Sequence, residues 1–422
     1  MKANKIFSNV FTAIDIGTTK ICVLIGTNSP EGNLELLGLG QHPSFGLKKG
    51  VVVNIAKTVD SISKAVAQAE QMSGCKVEYA TVGISGGHIK SFNSIGIVAI
   101  KNSDVNQEDI DRVIEAAKAV AIPKDQEILH VLPQYFKVDG QDHILDSIGM
   151  SGVRLEAQVH IITGAISSAQ NIIKSCELAG IKVSDIVLEQ IASADAVLTA
   201  SEKELGVGIL DIGGGTSDFA IYKDGRIIHS KVVPIAGNHF TNDLAVGLGI
   251  PVAQAEELKK KYGFVWEEKY LEFDKDKVSV NLGYQNKTKN IETFSTFEIL
   301  QPRADEIFDF LCDELVKFNL KAFMPSGLVI TGGGSMLLGM SNLAEKRFGL
   351  PVRIGYPDKN QNDFGMMENS VPEQLKNPIY STGYGLLVYA GGHNDLDFNA
   401  SQDDTAFKKV FKKMKSWIYD FI

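Results

Sequence analysis

The sequence has 422 residues, 44% hydrophobic and 22% charged, with a formal net charge of -9. That is material for two to four cored domains at roughly 100 to 200 residues each, and the acidic balance, with no long basic stretch before the last twenty residues, excludes nucleic acid as an expected partner of the body. Four scattered cysteines (Cys22, Cys75, Cys176, Cys312) without a Cys-x-x-Cys pair, and eight scattered histidines, predict free thiols in a reducing compartment and argue against a disulfide framework or a structural metal.

At the start, Lys2 and Lys5 precede an apolar stretch from Ile6 to Ile14. Ser8, Asn9, Thr12 and Asp15 interrupt it and no small-residue cleavage site follows, so a buried strand is expected rather than a signal peptide. No run is long enough to span a bilayer. Phe11-Thr-Ala-Ile-Asp-Ile-Gly-Thr-Thr-Lys20-Ile-Cys-Val-Leu-Ile-Gly26 then sets two apolar runs about a glycine-bearing turn. The pattern returns in Gly208-Ile-Leu-Asp-Ile-Gly-Gly-Gly-Thr-Ser-Asp218-Phe-Ala-Ile-Tyr222, after which Lys223-Asp-Gly-Arg226 adds another hairpin before Ile227 to Val233. Two related halves, each opening on strand, turn, strand, are implied.

Helical periodicity runs over Thr58 to Met72, Gln107 to Val120, Ser167 to Leu178, Asp185 to Ala200, Val252 to Tyr262 and Arg303 to Phe318, alternating with strands in an α/β manner. The expected first-lobe core is 1–83 with 164–200 and about 366–390, and 84–163 is an inserted subdomain. The second-lobe core is 201–243 with 300–365, and 244–299 forms its outer subdomain. The polar, glycine-containing 391–406 reads as a flexible linker.

In both hairpins the turn glycines allow backbone N–H groups to converge on one spot, an arrangement suited to phosphate oxygens. Gly17 with Thr18, Thr19 and Lys20 serves the first turn, and Gly213, Gly214, Gly215 and Thr216 the second. Asp15 and Asp211 sit at matching positions before the turns and are the candidate holders of Mg²⁺, through water. Either turn alone also reads as an ordinary hairpin; the duplication is what points to a polyphosphate. A third element, Leu328-Val-Ile-Thr-Gly-Gly-Gly-Ser-Met336, runs an apolar strand into bare backbone at Gly332, Gly333, Gly334 and Ser335, where a flat base could lie close.

Asp-x-Gly-x-Thr twice, followed by Thr-Gly-Gly-Gly, resembles the nucleotide site of the actin-like ATPase superfamily. The resemblance implies an α/β, two-lobed fold with ATP in the cleft and hinge closure around it. The chain is most similar to the FtsA family within it, in Val53-Asn54, Ala67-Gln-Ala-Glu70, Gly83-Ile-Ser-Gly-Gly-His-Ile89, Ile95-Gly-Ile-Val98, Ser151-Gly-Val-Arg-Leu155, Val159-His160, Ala236-Gly-Asn238 with Thr241 and Asp243, and Glu256-Glu-Leu-Lys-Lys-Lys-Tyr-Gly263. Carried over, Gly237 and Asn238 approach the phosphates and ribose, and Glu257 and Lys260 the ribose and adenine; without the resemblance the last two read as a solvated helical face. Glu189, with Gln190 as neighbour and rival, falls where the superfamily positions the attacking water; a surface acid at a helix start is the competing reading, and since FtsA-like proteins vary here and many turn over ATP slowly, at most a slow ATPase is expected. The family also implies that 84–163 takes part in self-association and in contacts with other division proteins, and that FtsZ is a partner.

At the end, Phe407, Val410, Phe411, Met414, Trp417, Ile418, Phe421 and Ile422 fall within an arc of about 140° on a helix. Five lysines and Asp420 lie outside it, for a formal +4. A basic amphipathic helix of this kind, 407–422, suits an anionic membrane surface; packing back on the body or on another protein is the competing use. FtsA-like proteins end in such a helix. The resulting expectation is a peripheral protein on the cytoplasmic side of the inner membrane at the division site, which self-assembles and tethers FtsZ filaments. A sugar or metabolite kinase of the same fold and a PilM-type pilus-assembly adaptor are the rival readings; a kinase has little use for the final helix and no acceptor-site base can be picked out, and PilM-type adaptors lack the helix.

Overall fold

The computed structural model describes residues 10–30, 33–273, 276–282, 287–357 and 371–392. The start of the expected first strand, nearly all of the linker and the whole amphipathic segment 407–422 lie outside the described residues.

The first lobe opens with β1 (Val10–Ile16), β2 (Lys20–Asn28) and β3 (Leu34–Pro43). β1 and β2 are buried along almost their whole length, and so read as continuous apolar runs instead of alternating ones. A small hairpin, β4 (Leu47–Lys48) and β5 (Val51–Val52), leads to α1 (Ile55–Ser73) and β6 (Tyr79–Ile84). Asn54 caps α1 by accepting from Lys57 N. The helix lies so close on β3 that a Cβ on Gly40 would fall 1.9 Å from the Ala65 carbonyl oxygen, a space only glycine leaves free.

The chain then departs into a second sheet made of β7 (Lys90–Ala99), β8 (Gln126–Val138), β9 (Gln141–Ile144) and β10 (Arg154–Ala165), with α2 (Gln107–Lys118) between the first two of these. Its order is β7-β10-β8-β9, all antiparallel. α2 buries Ile110, Val113 and Ile114 against Phe136, Leu155 and Val159, giving this insert a core of its own.

Back in the first lobe follow α3 (Ile166–Leu178), β11 (Lys182–Leu188), α4 (Glu189–Val197) and α5 (Ala200–Leu205). Here the structure differs from the expected helix over Asp185 to Ala200. The apolar run Ile186–Leu188 carries no period of its own, and parallel pairing with β6 makes it a strand.

The second lobe repeats the plan with β12 (Val207–Ile212), β13 (Ser217–Lys223) and β14 (Arg226–Val233). It continues through α6 (Gly237–Leu248), α7 (Val252–Tyr262), β15 (Lys277–Asn281), β16 (Thr288–Glu292) and α8 (Phe294–Lys317). α8 begins well before the expected Arg303 and runs through Pro302. The buried stripe from Thr296 through Leu300, Ala304 and Ile307 to Leu315 holds it in place despite the missing donor. β17 (Leu328–Thr331), α9 (Met340–Phe348) and β18 (Val352–Ile354) complete this lobe. α10 (Ser381–Gly392) crosses back to pack on α4 and β1.

The two core sheets share one topology. In the first, the meander β3-β2-β1 is extended by parallel β6 and β11; in the second, β14-β13-β12 is extended by parallel β17 and β18. One core fills the first lobe and continues to Ile209, Ala220 and Val232 of the second-lobe sheet, and a separate core fills the rest of the second lobe.

Candidate functional site

The β1–β2 turn and the β12–β13 turn meet at a cleft of about 1030 Å³ between the lobes. Gly213 N donates to Thr216 O at 2.9 Å and closes the second turn. The two turns are in contact: a Cβ on Gly215 would fall 2.3 Å from Thr18 Oγ1. α6 starts on the second turn, with Gly237 N donating to Gly213 O at 3.0 Å and Asn238 N to Gly214 O at 2.8 Å. The third glycine turn enters from β17. Gly332, at φ 81°, comes so near β12 that a Cβ would fall 2.1 Å from Asp211 Oδ1, while Gly333 meets nothing nearer than Ile379 Cγ2 at 3.6 Å and leaves bare backbone at the cleft.

Asp15, Gly17, Thr18, Thr19, Lys20, Glu189, Asp211, Gly213 to Thr216, Gly237, Asn238, Lys260 and Gly332 to Gly334 all line this cleft. Two of the sequence candidates do not. Ser335 is fully buried and its hydroxyl donates back to Gly332 O at 2.7 Å, so it shapes the turn from behind. Glu257 is exposed on α7, outside the cleft lining, because Ala255 and Leu258 take the inward face of that helix. On the same helix Lys260 stands at the rim with 71% of its side chain exposed, whereas Lys259, at 12%, reaches Gly237 O at 3.0 Å and Thr241 Oγ1 at 2.8 Å.

Carboxylates gather at the floor. Lys20 Nζ donates to Asp15 Oδ2 at 2.6 Å. Asp211 Oδ2 accepts from Ser193 Oγ and, at 2.9 Å, from Thr382 Oγ1. Asp218 Oδ1 accepts from Ser85 Oγ at 2.5 Å. Burial, then the charges of Asp218, Asp15 and Asp211, raise the Glu189 carboxyl well above the usual range. Burial, followed by nearby Asp211, pushes Asp218 up to about 7, and burial raises Asp211 as well. Burial alone would lower Lys20, but the neighbouring Asp15 outweighs it and raises the ammonium above its ordinary value.

Burial and mutual repulsion raise Glu189, Asp218 and Asp211 towards their neutral forms, and a divalent cation would relieve that repulsion. Magnesium keeps most of its water and takes few protein oxygens beside phosphate. Asp15 and Asp211 in one cleft suit such a hydrated ion. Among the described residues no three His, Cys, Asp or Glu side chains form a dry cage.

Sequence reasoning missed Asp218, Ser85, Ser193, Thr382 and Lys259. Asp218 carried a signal, since it pairs directly with Asp211 across the β12–β13 hairpin. A carboxylate at each of two facing, buried strand positions has no structural use of its own.

The two lobes of one topology, the paired turns and the cleft between them define an actin-like ATPase fold. Among solved structures it is shared with a PilM-PilN type IV pilus biogenesis complex (TM-score 0.65, 16% identity, 90% of this chain and 98% of that one) and with MreB5 of Spiroplasma citri bound to ADP (TM-score 0.54, 16% identity, 90% and 96%). At that identity the likeness reaches no further than the fold. Residues 208–385 match the family model of cell division protein FtsA, and 86–163 that of the SHS2 domain inserted in FtsA. The chain is 43% identical over 415 residues to the cell division protein FtsA of Pseudomonas aeruginosa, covering 97% of each, and 34% identical over 412 residues to that of Escherichia coli K12, covering 96% of this chain and 94% of that one. The chain belongs to the FtsA family of cell-division proteins.

Proposed function

We propose that this chain binds ATP with Mg²⁺ in the interlobe cleft, assembles with copies of itself, and tethers FtsZ filaments to the inner face of the cytoplasmic membrane at the division site, together with other division proteins. The observation that carries the nucleotide part is the meeting of two glycine turns, one from each lobe, at a single cleft. Backbone amides of Gly17 to Thr19 and Gly213 to Thr216 take the phosphates, and Lys20 adds a cation. Gly332 to Gly334 lie under the adenosine, with Gly237, Asn238 and Lys260 around the ribose and base. Mg²⁺, when bound, neutralises phosphate charge, with Asp15 and Asp211 orienting its water. Glu189 orients the attacking water, and turnover is slow.

The tether rests on the sequence of 407–422, where eight apolar side chains share one arc opposite five lysines. The main output of the protein is assembly, not product formation. The test is flotation: FtsZ filaments should rise with anionic vesicles only when the full chain is added. FtsZ that stays at the bottom with the chain present, while the chain itself floats, contradicts the tether.

A further inference from the structure

The insert hangs from the first lobe, yet its polar contacts are made with the second. Ile89, Leu129, Leu132 and Ile162 join the core that runs from the first lobe to Ile227 and Val232 of β14. Other insert side chains reach β14, the edge strand of the second-lobe sheet. Ser91 Oγ donates to Ser230 O at 2.6 Å, and Gln134 Nε2 donates to Ile227 O at 3.1 Å and Ile228 O at 2.9 Å. His160 Nδ1 lies 2.7 Å from Asn93 Oδ1 and its Nε2 2.9 Å from Ser230 Oγ. Burial and neighbouring His229 hold the His160 pKa down at about 3, so the ring is neutral, donating at Nδ1 and accepting from Ser230 at Nε2. From the other side, Arg226 donates to Leu145 O at 2.8 Å. The open carbonyls of an edge strand need partners, and here the insert supplies them.

A second link lies at the cleft. Ser85, at the start of the insert, donates to Asp218 Oδ1 and stands 3.2 Å from Thr216 Oγ1. Thr216 belongs to the second-lobe turn, and Asp218 pairs with Val232 of β14. One end of the insert is thus tied to the phosphate-side turn, and its sheet to the strand beside it. Between them Gly86, at φ 142°, and Gly87 give the connection room to bend.

We infer that the insert is a strap across the two lobes that moves with the second, so that nucleotide in the cleft shifts the position of the insert. A change in the angle between the lobes carries the insert along through its bonds to β14. This inference rests on the nucleotide reading above.

The test is amide hydrogen exchange on the full chain with and without ATP and Mg²⁺. Exchange at the Gly213–Thr216 turn should slow, and exchange in β7 and β8 should change by roughly fivefold or more, the lower end of ordinary coupling. The double variant S91A/Q134A, which touches no cleft residue, should keep the turn response and lose the insert response. If β7 and β8 ignore ATP in the parent while the turn responds, or respond equally in the double variant, the strap is overturned and the nucleotide reading stands. The parent comparison decides this even should the variant fail to fold. No response at the turn overturns the nucleotide reading, and the strap with it.

Discussion

Gly214 and Thr19 face each other across the lobes, and a Cβ added to Gly214 would sit 2.4 Å from Thr19 Cγ2. Gly214→Val therefore crowds both the opposing turn and any phosphate between the turns. ATP with Mg²⁺ should raise the thermal midpoint of the parent by mass action and leave that of Gly214→Val unmoved. The same loss should appear in a Thr19→Ala background, where the protein's own crowding is relieved. Recovery of the ATP shift in that background would mean that Gly214 serves lobe contact alone.

Glu189 opens α4 among three other acids, with its carboxyl raised by burial and by their charge. Glu189→Ala should lower ATP turnover by roughly a hundredfold, the ordinary share of a positioned acid or base, and leave the ATP-induced thermal shift intact. Equal turnover in variant and parent removes Glu189 from the reaction.

Asp218 predicts a pH effect with a definite sign. Its folded pKa is raised from 3.8 to about 7, so the unfolded chain releases this proton first as pH rises. The stability this group contributes is full below about 4 and is lost as pH climbs towards 7. Asp218→Asn cannot ionise and lacks that loss. Without nucleotide, the stability gap favouring Asp218→Asn over the parent should widen between pH 4.5 and 7.5 by on the order of a few kcal/mol, read by urea unfolding. A constant gap contradicts the buried-acid account.

Magnesium should matter through Asp211. Chelation should shrink the ATP-induced thermal shift, and Asp211→Asn should reproduce most of that loss with magnesium present. An undiminished shift under both conditions would take the ion out of the site.

The duplicated hairpins were legible because everything that marks them is local: two buried runs, a glycine turn, and an aspartate at one fixed place before it. Glu189 is singled out by resemblance alone, because the apolar run of the strand that delivers it into the cleft lining has no period to tell it from helix. Ser85, Ser193 and Thr382 were not legible. They reach the carboxylates from elements far apart in sequence, and a single hydroxyl has no pattern until the fold brings it to its partner. Lys259 could have been separated from Glu257 and Lys260, since Ala255 and Leu258 fix the inward face of α7 and Lys259 borders it. The grip of the insert on β14 had no signature, being made largely to backbone carbonyls.

The tail yields a prediction from magnitudes. Partial burial of eight apolar side chains at roughly 1 kcal/mol each, with about 1 kcal/mol per lysine near an anionic surface, gives a gross attraction on the order of 10 kcal/mol. Ordering the segment costs roughly 1 to 2 kcal/mol per residue, so one tether holds modestly and many joined together hold well. Deleting 407–422, or Trp417→Glu alone, should release the protein from anionic vesicles while ATP binding survives. High salt should weaken attachment only in part, because the lysine attraction is screened and the apolar burial is not.

ATP-dependent assembly on a membrane is tested most directly by electron microscopy of the full chain on anionic lipid monolayers, with and without ATP and Mg²⁺. Filaments on the lipid in ATP, absent for the chain ending at residue 406, are the predicted result. Bare monolayers in every nucleotide state, or filaments that form equally well without the tail, would contradict it.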